Sequence, residues 1–146
     1  MNDEVTEFAK SIGAVDLKQV FDYSEYHGLF KRRNYFLIDK DKFLIIKISR
    51  NKIRPFFGLR RKFVDLFNAF TKTSGNYYFV ALASNKSGWV LSKSQILKQI
   101  SSGSLSYSEK EEEYKVNNYN LKDQDGFTSP EAFLKKLGVA TLRPRI

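Results

Sequence analysis

Two stretches of this chain are apolar at almost every position, and they constrain the fold more than anything else in it. They are Phe43-Leu44-Ile45-Ile46-Lys47-Ile48 and Tyr77-Tyr78-Phe79-Val80-Ala81-Leu82-Ala83. Both are far too short to span a bilayer. A strand with one wet face alternates apolar and polar side chains; the first stretch does not, so it reads as a central strand covered on both faces. The second reads as another strongly apolar strand. Cover for such strands has to come from amphipathic elements elsewhere in the chain.

Those elements are legible from periodicity. Val5, Phe8, Ala9 and Ile12 recur at helical spacing, with Asn2 or Asp3 as the expected cap and Gly13 as the stop. Leu17, Val20 and Phe21 predict a second short helix from Asp16, which makes an N-terminal helical pair. Tyr35–Ile38 and Phe43–Ile48 predict two strands joined by the polar turn Asp39-Lys40-Asp41-Lys42. Leu59, Phe63, Leu66, Phe67 and Phe70 predict a helix from about Gly58 to Thr71. Trp89–Leu91 is the expected partner of the Tyr77–Ala83 strand. Ser92 and Gln95 form a capping-box pattern ahead of Ile96, Leu97 and Ile100, and Thr128 with Glu131 forms another ahead of Phe133, Leu134 and Leu137. Short strands are expected at Leu105–Tyr107 and Tyr114–Val116. The expected class is therefore α/β, with α+β as the alternative: one central mixed sheet flanked by helices.

Length and composition bound the rest. At 146 residues, with 42% hydrophobic and 28% charged, the chain is expected to form a single domain over 1–146. Within it, residues 1–29 hold the N-terminal helices, 34–138 the core and 139–146 a tail. There is no cysteine, which removes disulfides, thiolate metal sites and cysteine nucleophiles. His27 is the one histidine, which removes multi-histidine metal clusters. The acidic, amphipathic first ten residues do not read as a signal peptide, and a soluble, cytoplasmic protein with no membrane partner is expected.

Charge is distributed unevenly. Between Phe30 and Lys62 there are twelve basic and two acidic residues, a net +10, against −4 for residues 1–29 and +3 for residues 63–146. Cations packed into about a quarter of the chain point to a surface that meets a polyanion. Arg60, Arg61 and Lys62 sit at the start of the expected helix, where positive charge opposes the macrodipole at a cost of about 0.3–1 kcal/mol each. Folding alone favours acids there, whereas phosphate binding favours cations. Lys31, Arg32, Arg33, Arg50, Lys52 and Arg54 extend the candidate surface. Tyr26, Tyr35, Phe56 and Phe57 interleave with these cations, and exposed rings among them would stack on unpaired bases.

The stretch from Ile38 to Ser49, followed by a helix, the Tyr77–Ala83 strand and Gly88-Trp89-Val90, resembles the PD-(D/E)XK, or restriction-endonuclease-like, superfamily. There, a strand bearing Asp leads to a strand bearing Glu-x-Lys, then a helix, then two further strands. The resemblance spans about residues 34–100. It implies Lys47 as the motif lysine, Asp39 as the first acid and Mg²⁺ ligand, Asp41 as its substitute, and Glu25 as a helix-borne acid. In such nucleases the acids bind Mg²⁺ and the lysine orients or activates the attacking water. Ile45 stands where the motif has Glu. Read from the residues alone, Asp39 and Asp41 are equally well turn residues.

The expected function is thus nucleic-acid binding, DNA first, through the basic patch at residues 31–62 and without a cofactor. The alternatives are a Mg²⁺-dependent nuclease using Asp39, Lys47 and Glu25, and an interaction module whose basic patch meets an acidic protein partner or a further copy of the chain.

Overall fold

The computed structural model describes residues 3–26, 28–30, 34–49 and 53–139. The two apolar runs are neighbours in it. β2 (Tyr35–Ile38) and β3 (Lys42–Ile48) form an antiparallel hairpin, with Tyr35 opposite Ile45. β3 then pairs in parallel with β5 (Asn76–Leu82), with Ile45 opposite Phe79. A parallel neighbour needs a crossover. It is supplied by β4 (Phe56–Arg60) and α2 (Arg61–Phe70). β6 (Gly88–Ser92) returns antiparallel to β5. Two-residue strands close the edges, β1 (Val15–Asp16) on β2 and β9 (Gly126–Phe127) on β6, so the six-stranded order is β1-β2-β3-β5-β6-β9.

Side-chain alternation along these strands produces two cores. Phe43 and Ile45 of β3, with Tyr77 and Phe79 of β5, pack with Phe63, Val64 and Phe67 of α2 and with Ile96 of α3 (Lys93–Ser101). Leu44 and Ile46, with Val80 and Leu82, pack instead with Val5, Phe8 and Ile12 of α1 (Asp3–Ser11) and with Phe133, Leu134 and Leu137 of α4 (Pro130–Leu137). The protein is a mixed α+β fold, and β3 is covered on both faces as its composition predicts. No helix among the described residues is long and apolar enough to cross a membrane.

Four expectations need correction. The residues from Asp16 to Phe21 do not continue into a helix. Val15 and Asp16 are taken by the sheet edge, and the Asp16 carboxylate accepts from the Lys18 N–H at 2.9 Å, which tightens the chain into a 3₁₀ turn over Leu17–Gln19. A second 3₁₀ segment follows over Phe21–Tyr26.

There are also two sheets rather than one. β4 pairs with β8 (Glu113–Asn117), and β8 with β7 (Ser106–Ser108), in a separate three-stranded sheet lying against the α2 side of the core, where Phe57 meets Phe79 at 5.8 Å between ring centroids. Gly58, Leu59 and Arg60 belong to that sheet, and α2 starts at Arg61. Leu59 satisfies both the two-residue rhythm of Phe57-x-Leu59 and the helical spacing to Phe63, so periodicity alone assigns it to either element. Finally, α4 is capped by Ser129, whose hydroxyl accepts from the Ala132 N–H at 3.1 Å, and not by Thr128.

Candidate anion-binding site

Three cations from three elements converge on one cavity. Lys47 comes from the far end of β3, Arg60 from the last position of β4, and Lys62 from the first turn of α2. The cavity has a volume of about 350 Å³, and Gly28, Leu29, Tyr35 and Phe63 complete its lining. Among the described residues, none that lines it carries a carboxylate. Tyr35 and Phe63 stack at 4.3 Å between centroids and are buried, which gives the cavity a rigid aromatic floor. The Lys62 ammonium lies 5.4 Å from the Phe63 ring centroid, within cation–π range. Among the described residues, neither Arg60 nor Lys62 forms an ion pair.

The start of α2 favours an anion in its own right. Arg60 occupies the N-cap position with extended backbone (φ −67°, ψ 132°) but supplies no side-chain cap, and the first turn holds no acid. The Arg61 N–H is used by the Glu112 carbonyl at 3.0 Å. Helix N-termini concentrate unsatisfied N–H donors and positive potential, and here cationic side chains add to that potential.

Arg61 does not share the cavity. Its guanidinium pairs with Asp65 at 3.7 Å on the same exposed helix face. Its pKa is raised, first by the neighbouring Tyr107 hydroxyl and then by the Asp65 carboxylate. The three consecutive cations therefore split, with Arg60 and Lys62 at the cavity and Arg61 turned toward β7. Arg54 is exposed just ahead of β4. Lys31, Arg32, Arg33, Arg50 and Lys52 lie outside the described residues, as does His27. Of the described residues nearest those segments, Asn34 bonds with Ile46 and the Ser49 hydroxyl accepts from the Phe56 N–H at 3.1 Å, so both are at the Lys47 end of the sheet.

The structure separates the residues that the nuclease motif would group. Asp39 is in the β2–β3 turn, with φ of 54° followed by 66° at Lys40, and Lys42 donates to Asp39 at 3.2 Å and to Asp41 at 3.3 Å. These contacts raise the Lys42 pKa even though partial burial opposes the rise. Lys42 and Lys47 are about 16 Å apart along extended β3, so Asp39 and Lys47 are at opposite ends of the strand. At the Lys47 end, the neighbouring strand offers Tyr35 and Asn34, whose side-chain amide donates to the Ile46 carbonyl at 2.9 Å. Glu25 is an exposed residue of a 3₁₀ segment rather than of a helix, between Tyr23 and Tyr26, whose rings pack on Phe70. Ile45 is fully buried in the α2-side core. Among the described residues, no three His, Asp or Glu side chains are grouped to hold a metal ion.

The aromatic residues also divide. Tyr35 and Phe57 are core residues and Tyr26 is half-buried, while Phe56 is exposed. Sequence reasoning had no handle on Leu29 and Phe63 as cavity residues, because nothing distinguishes an apolar side chain that floors a cavity from one that fills a core. This chain matches no protein-family model, no curated protein and no solved structure in the comparisons made with them.

Proposed function

We propose that this protein binds nucleic acid through phosphate contacts from Lys47, Arg60 and Lys62, on a restriction-endonuclease-like core that serves as a binding platform. The convergence of these three cations on one cavity, with no carboxylate among its described lining residues, carries the reading. A sequence intent only on stability would put an acid or a hydroxyl at the uncapped start of α2, and this one puts cations there. The succession of strand, strand, crossover helix and two further strands in β2, β3, α2, β5 and β6 supports the family resemblance, with β4 inserted ahead of the helix. The separation of Asp39 from Lys47 favours binding over cleavage at this cavity. A cytoplasmic location belongs to the same proposal.

The test is binding of labelled oligonucleotides across a salt series, with Arg60→Gln, Lys62→Gln and Arg61→Gln compared with the wild type. If the three cavity cations each meet a phosphate, the slope of log K against log salt is about −2 on single strands and nearer −3 on duplex. Arg60→Gln and Lys62→Gln should each reduce the slope by about 1, and Arg61→Gln should leave it unchanged. Binding that ignores salt, or that falls equally for all three variants, overturns the assignment.

A further inference from the structure

β4 places one large ring where the core does not use it. Along this strand Phe57 and Leu59 turn inward, whereas Phe56, Gly58 and Arg60 share the outward face. Phe57 is 3% exposed and Phe56 is 50% exposed. Phe56 and Arg60 are therefore on one surface, about 13 Å apart, and Arg60 is at the rim of the basic cavity.

The surface between them has its own polarity. Lys115 lies 5.4 Å from the Phe56 centroid. Its ammonium donates to Glu111 at 2.7 Å and to Glu113 at 2.5 Å, and these bonds raise its pKa. The Glu113 carboxylate covers Gly58, where a Cβ would approach it to 2.5 Å. Glu113 is the cross-strand neighbour of Arg60, and its carboxylate over Gly58 makes the stretch between Arg60 and Phe56 unfavourable for phosphate, whereas the cavity lined by Lys47, Arg60 and Lys62 attracts it. A straight duplex laid along β4 would carry phosphates into the carboxylates, and its paired bases would be closed to the ring. A single strand has rotatable backbone enough to keep a phosphate at the cavity and turn a base onto the ring. Every base has a face that can stack, so such a contact needs no sequence.

Building on the phosphate-binding reading of the cavity, we propose that the ligand is single-stranded nucleic acid, held by a phosphate at Lys47, Arg60 and Lys62 and by an unpaired base stacked on Phe56. The ring discriminates unpaired from paired strands, and the cations supply the salt-dependent affinity.

The experiment measures anisotropy of labelled single-stranded DNA, single-stranded RNA and blunt duplex DNA with the full chain, as wild type, Phe56→Ala and Phe56→Tyr. The wild type should prefer a single strand, and the DNA and RNA arms identify which kind. Phe56→Ala should weaken single-strand binding roughly tenfold and duplex binding less than about twofold, with the salt slope unchanged because the ring has no charge. Phe56→Tyr should restore the affinity. A 2-aminopurine oligonucleotide provides a readout in the wild type that needs no variant: stacking on the ring quenches its fluorescence. Absence of quenching, duplex preference, or equal losses on both ligands in Phe56→Ala overturns the inference while leaving phosphate binding standing. Absence of any salt-dependent binding overturns both.

Discussion

Ile45 and Lys47 face the same side of β3, two residues apart, yet only Lys47 opens onto the basic cavity. Ile45 is fully buried within the cluster that includes Tyr35, Phe63 and Phe79. A nuclease motif would have Glu here. In this chain that carboxylate would lose its water among rings, and burial would push its pKa up. Ile45→Glu should therefore destabilise the protein by about 3 kcal/mol or more. The sign with pH follows from the raised folded-state value. The folded variant holds its proton where the unfolded one has released it, so the deficit grows as pH rises through the ordinary Glu range toward the raised value. Urea unfolding midpoints at acid and neutral pH measure this. An equal, small deficit at both would show that position 45 is accessible to water.

The helices α2 and α3 are of similar length and start differently. Ser92 caps α3 reciprocally: its hydroxyl accepts from the Gln95 N–H at 3.3 Å, and the Gln95 side chain accepts from the Ser92 N–H at 2.8 Å. α2 has Arg60 in the same role, with a suitable backbone and no capping bond. Ser92→Ala should cost about 1 kcal/mol, and Arg60→Ser should add about 1 kcal/mol by supplying the missing cap and removing a cation from the positive end of the dipole. Denaturant unfolding measures both. The second substitution should at the same time weaken oligonucleotide binding, so stability and affinity move in opposite directions. If Arg60→Ser lowers both, the arginine has a packing role that the exposed N-cap geometry does not reveal.

Across the whole molecule, β3 and β5 are shared by two cores, with α2, α3 and the small sheet on one side and α1 and α4 on the other. Opening either strand breaks both cores at once, whereas β1 and β9 are two-residue edges held by one neighbour each. Amide exchange should be slowest in Leu44–Ile46 and Phe79–Ala81 and fastest at Val15, Asp16 and Gly126; uniform protection across the sheet would contradict this hierarchy. How much of this was legible in the chain follows from the same division. Phe43–Ile48 announced a doubly covered strand because an apolar side chain at both parities has no other stable place. Ser92 with Gln95, and the spacing of Phe63, Phe67 and Phe70, announced their helices for equally local reasons. The concentration of cations before residue 62 is likewise a property of the sequence alone. Tertiary structure decided the rest. It drew Phe56–Arg60 into a second sheet because β8, more than fifty residues later, supplies the hydrogen bonds. It turned Arg61 away from Arg60 and Lys62, since successive positions at a strand-to-helix junction face different sides. It set Asp39 and Lys47 at opposite ends of one strand, because an extended residue advances about 3.3 Å. Composition and periodicity record what a residue prefers nearby; which side chains meet across the fold depends on register and crossover, which no local pattern encodes.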